Sequence, residues 1–160
     1  MAVQEWLPSL VLFNESDGDW DKYLSLIYSY FKADFIDSNC NYRGIKIAIK
    51  RHPLIDDKEA TFFHLITEGK VEKARKPDLS RCERIRWPKP IIQKVPNNDI
   101  KVWKNRRNDE TRLCIWFEEA EYLVVLAERK NYLLLWTAYT VTQKHRKVKL
   151  NKEYEDSLKS

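Results

Sequence analysis

The sequence predicts an α+β fold, with N-terminal helices packed on a C-terminal antiparallel β-meander of about four strands. Two patterns predict it. Apolar residues recur at helical spacing early in the chain, and short β-branched and aromatic runs divided by brief polar turns fill its later part. At 160 residues the length suits one domain. It divides into a helical extension over 1–42, a core over 44–142 and a charged helix over 143–160.

Each element has a local reason. Asp17 or Asp19 can cap a first helix that runs to about residue 36. Along it, Trp20, Tyr23, Leu24, Ile27, Phe31 and Phe35 fall on one apolar stripe. Residues 38–41 with Gly44 read as a turn. Residues 44–50 then alternate apolar and charged, a half-buried strand ending at Arg51-His52-Pro53. Asp56 or Asp57 caps a second helix to about Thr67, with Phe62, Phe63 and Ile66 inward and Gly69 as its stop. Pro77-Asp78 opens a short helix through Arg86. Trp87-Pro88-Lys89-Pro90 is expected to end it, because proline donates nothing to a helix ladder. After a turn over 96–99, strands are expected at 100–104, 111–118, 121–128 and 132–142, the middle ones joined by hairpins.

Composition excludes several classes. Only three glycines leave no room for a Gly-rich phosphate loop. The longest apolar run, within 132–141, is broken by Thr137 and too short to span a bilayer, so no membrane partner is expected. No basic n-region with an apolar h-region opens the chain, so a cytoplasmic protein is expected. Cys40, Cys82 and Cys114 are odd in number and widely spaced, which fits reduced thiols better than a disulfide framework or a zinc site. No cofactor is implied.

The charge is concentrated. Between 70 and 94 stand nine Lys/Arg against three acids, although the whole chain carries only +5. Such a segment suits a polyanion, and imidazole beside it could move protons on that polyanion. His52, at a strand end, is a candidate acid/base or a plain turn residue. His64, on the helix side away from Phe62 and Ile66, faces either solvent or a cleft. Arg81 and Arg84, one helical turn apart, could fork onto a phosphate. Arg86 and Lys89 extend the basic surface, and Trp87 could stack on a base or belong to the core. Thr137 needs a partner for its hydroxyl, either backbone or a bound phosphate, since an unsatisfied buried polar group costs about 1–3 kcal/mol. Tyr139 shares its face.

In this order, Lys50-Arg51-His52-Pro53, the run from Arg81 to Trp87, Glu121-Tyr122-Leu123-Val124-Val125-Leu126 and Trp136-Thr137-Ala138-Tyr139 resemble a ribonuclease superfamily. It unites barnase, EndoU, the tRNA-cleaving colicins and RelE, with a phage-encoded branch of small nucleases. The resemblance covers roughly 44–141. It implies a toxin-like, metal-independent endoribonuclease acting on RNA, tRNA included, and restrained by an immunity or antitoxin protein. It further implies His52 as acid/base with His64 as its rival, Arg81 or Arg84 as phosphate clamp, and Thr137 as the strand hydroxyl. Arg86, Trp87, Lys89 and Tyr139 would complete an RNA-binding surface.

Other readings stay open. The chain could bind nucleic acid without cutting it, or act as a protein inhibitor from a phage or mobile element. Asp109, Glu118, Glu128 and Lys130 could instead serve a metal-dependent nuclease, whose chemistry needs its acids close together.

Overall fold

The computed structural model describes residues 5–159; the first four residues of the leader reading, and Ser160 of the expected last helix, lie outside the described residues. In chain order come α1 (Trp20–Phe35), β1 (Asn41–Tyr42), β2 (Ile45–Ala48), α2 (Ala60–Ile66), β3 (Thr67–Glu68) and β4 (Lys76–Pro77). There follow α3 (Leu79–Glu83), α4 (Pro88–Lys94), β5 (Lys101–Arg107), β6 (Glu110–Phe117), β7 (Tyr122–Glu128), β8 (Leu133–Thr140) and α5 (Lys144–Leu158).

The fold is α+β, and its meander is β5 to β8, antiparallel throughout. The sheet is larger than expected, with six strands in the order β1-β2-β8-β7-β6-β5. β2 joins β8 in parallel, Ile47 opposite Leu133 and Ala48 opposite Leu134, and β1 adds the edge. Partners so far apart in sequence leave no local turn signal to read.

Asp19 caps α1, its carboxylate accepting from the Asp21 and Lys22 amides at 3.0 and 3.3 Å. The expected stripe buries Tyr23, Ile27, Phe31 and Phe35, each such side chain contributing about 1.5–3 kcal/mol. α2 starts later than expected and without an aspartate cap. Asp56 and Asp57 occupy left-handed conformations in a tight turn closed between Ile55 and Lys58, a role their short polar side chains tolerate. The prolines also act differently from expectation. Pro88 stands at the first turn of α4, where a missing N–H costs nothing, so the motif starts a helix.

Helices cover both faces of the sheet. On one, Phe31, Phe62 and Ile91 pack with Ile115, Val124 and Leu126. On the other, α5 lays Leu150 and Tyr154 over Trp103, Trp116, Leu123 and Val125. Asn151 pins α5 by accepting from the Trp116 indole at 3.2 Å and from Lys101 at 2.9 Å, while donating to Glu118 at 3.0 Å. The three cysteines are free and buried. Burial pushes their thiols up, to about 12 at Cys40 and Cys82 and about 11 at Cys114, which makes them poor nucleophiles. Among the described residues, no helix is long and apolar enough to cross a membrane.

One irregularity positions the site. Val125 pairs with Thr137, but Leu126 pairs with Leu135, so Trp136 is an extra residue in β8. The bulge keeps Leu135 in the main core and turns both Trp136 and Thr137 towards the α5 side.

Candidate active-site cleft

Beside the bulge opens a cleft of about 590 Å³, bounded by the end of α2, the loop beyond β3, the start of α3 and the face of β8. Four expected residues line it: His64, Arg81, Thr137 and Tyr139. The cleft gathers pieces from chain positions far apart, which is what a positioned site on a rigid scaffold requires.

The end of α2 organises its cations. A helix C-terminus leaves carbonyls without intrahelical partners and carries negative partial charge. Here two guanidiniums fill that need. Arg81 donates through Nη1 to the Thr67 carbonyl at 2.7 Å, the His64 carbonyl at 3.2 Å and Thr137 Oγ1 at 3.4 Å. Arg75 donates to the Thr67 carbonyl at 2.6 Å, the Thr67 hydroxyl at 2.9 Å and the Gly69 carbonyl at 2.7 Å. Gly69 stands at φ +134°, and a Cβ there would lie 3.3 Å from the Arg75 backbone. Only glycine lets the loop double back this closely.

Burial and the neighbouring Arg81 charge both lower the Arg75 pKa. Asp78 caps α3 and lies 3.6 Å from Arg81 Nε, too long for a hydrogen bond, so that buried nitrogen has no hydrogen-bond partner. Arg75 and Arg81 line the cleft as anchored cations, beside the carboxylates of Glu68, Glu72 and Asp78. Tyr139 extends this lining, its ring lying 5.0 Å from the Arg81 guanidinium and 5.4 Å from that of Arg146.

His64 supplies the titratable group. Its Nε2 lies 3.0 Å from Glu72 Oε1, and its ring is 6.2 Å from Trp136. Burial and the Arg75 charge lower its pKa below the ordinary imidazole value, while Glu72 opposes them. The net direction favours the neutral imidazole, and Glu72 holds the orientation of the ring. Sequence reasoning missed Glu72, Arg75 and Arg146. Their only signals were membership of charged runs, which say nothing about direction.

Other expected residues lie elsewhere. His52 is exposed in the long loop after β2 and does not line the cleft. The strand that was to hold it at the sheet rim ends at Ala48. Arg84 and Arg81 do not form a fork. α3 ends at Glu83, and Arg84 turns back to donate to the Ser80 carbonyl at 3.0 Å, its guanidinium 5.1 Å from the Trp87 ring. Trp87 is 5% exposed and donates to the Pro8 carbonyl at 2.8 Å, so it is a core residue with no face for a base. Arg86 packs on Tyr30 and Lys89 bonds Ser38, both on the α1 side of the molecule. The basic middle is thus spread over several faces.

The rival acids are separated too. Glu118 bonds Asn151 at one end of β6, whereas Asp109 and Glu128 stand at the opposite end, with Glu128 paired to Lys104. At about 3.3 Å per residue, the length of β6 places them roughly 23–30 Å apart. Among the described residues, no group of three or more His, Cys, Asp and Glu could hold a metal ion. Compared with family models, curated proteins and solved structures, the chain matches none.

Proposed function

We propose that the protein is a metal-independent endoribonuclease whose site is this cleft. One observation carries the reading: a carboxylate-oriented imidazole shares the cleft with two guanidiniums and a strand hydroxyl. His64 takes the proton of a ribose 2′-hydroxyl, and that oxygen attacks the adjacent phosphorus. As the new O2′–P bond forms, the P–O5′ bond breaks, and the imidazolium returns its proton to the leaving 5′-oxygen. The products are a 2′,3′-cyclic phosphate and a 5′-hydroxyl end. Arg75 and Arg81 stabilise charge on the non-bridging oxygens, and Thr137 donates to one of them. Their attachment to α2 carbonyls means little reorganisation is needed when substrate arrives.

The reading includes a toxin-like role, with an immunity or antitoxin protein covering the cleft. Incubating the chain with total RNA in EDTA and mapping product ends tests the chemistry. Cyclic phosphate ends, lost in His64→Ala, are expected. Salt-dependent RNA binding without products would leave a binding module instead, and cleavage abolished by EDTA would leave a metal-dependent nuclease.

A further inference from the structure

Beyond Trp136 the cleft continues into a second chamber of about 180 Å³ between the sheet and α5. Trp136, Thr137, Tyr139 and Arg146 line both spaces, so the two are joined at the bulge. The chamber is smaller than the roughly 300–1,000 Å³ of a drug-sized ligand site. Its lining is two-sided in chemistry. Cys114, Leu123, Val125 and Leu150 provide apolar surface. Asn105 and Glu153 provide acceptors: Glu153 Oε1 is held by the Trp103 indole at 3.2 Å and Asn105 Nδ2 at 3.1 Å. With Nδ2 so committed, Asn105 Oδ1 is left buried and without a hydrogen-bond partner. Its orientation is settled by chemistry, because the flipped amide would set oxygen against carboxylate.

Arg107, Arg146 and Lys149 stand at the mouth, all exposed. None of the three has a carboxylate within ion-pair distance among the described residues. Arg112 differs, paired with Glu110 at 2.9 Å and packed 4.7 Å from the Trp136 ring. Exposed cations around a recess that offers both apolar surface and internal acceptors suit a flat base carrying an exocyclic amine, attached to a phosphate.

We infer that this chamber is a subsite for the nucleotide flanking the scissile phosphate, with its phosphate on Arg107 and Lys149. The inference rests on the cleft being an RNA site and assigns its substrate: a single strand extending past the cleavage point towards α5, rather than a dinucleotide. The exposed cations contribute because each neutralised phosphate releases counterions.

The test uses 2′-O-methyl RNA, which lacks the attacking hydroxyl and so reports binding alone. Oligonucleotides of two to four residues, extended on the 5′ or the 3′ side, are titrated against the full chain by fluorescence polarisation. Affinity should rise when the strand grows on one side only, with a salt slope steeper by about 0.7 for the added phosphate. In the double variant Arg107→Gln, Lys149→Gln that length-dependent increment should vanish; both sites are exposed, and circular dichroism checks the fold. An increment that survives in the folded double variant, or one absent from the wild type while short strands still bind, overturns the subsite alone. Failure of wild-type protein to bind any strand overturns the ribonuclease reading with it.

Discussion

His64 and His52 divide what local sequence can and cannot report. Both were visible as histidines in one short region ahead of the basic segment, and position after a strand favoured His52. What decides between them is the direction of a loop. β2 stops at Ala48, and the following loop carries His52 into solvent, while α2 aims His64 at Trp136 and Glu72. Accordingly, His64→Ala should lower RNA cleavage by about 10²–10⁴-fold, and His52→Ala should leave single-turnover rates at wild type. Equal losses in both would remove the cleft from the mechanism. The pH profile follows from the causes of the His64 shift. The base must be neutral, so activity rises with pH through a limb below about 6.5, the unperturbed value. Arg75→Gln removes a charge that lowers the pKa and should move the limb up; Glu72→Gln removes one that raises it and should move the limb down. A limb unmoved in both variants would assign it to another group. The same depressed pKa bears on stability. Unfolded protein binds the proton more readily, so His64 contributes a loss of stability as pH falls through about 6.5.

At the scale of elements, periodic patterns were legible and pairings were not. The α1 stripe and the four meander strands could be read because each is defined by its own residues and turns. The parallel β2–β8 pairing, and the α4 helix begun by Pro88, depend on distant partners or on which side of a proline the chain is helical. The bulge was illegible for the same reason, since an extra residue shows only against a partner strand. α5 read as charged surface because only Leu150 and Tyr154 supply its apolar contacts. Its attachment is largely polar, through Asn151 to the buried Trp116 indole. Asn151→Leu should therefore cost about 1–3 kcal/mol by stranding that N–H, measured by urea unfolding, with hydrogen exchange quickening first in α5. No change in either would show that α5 is held by its other contacts, Glu153 with Trp103 and Lys147 with Glu121 among them.

For the whole molecule, one sheet is shared by two cores, so neither helix layer has a sheet of its own. Far-ultraviolet and near-ultraviolet circular dichroism should report one coincident thermal transition; separated transitions would mean the α1 layer melts independently of the α5 layer. The shared sheet also sets an order of assembly. His64 and Arg81 lie in the first half of the fold's path, but Thr137, Tyr139 and the parallel partner of β2 arrive only with β8. Contacts of such sequence separation form late and slowly. A chain still lacking its last strand therefore carries the imidazole and the guanidiniums without the wall that faces them. A nascent chain completes the cleft only once β8 has been made and has paired with β7 and β2.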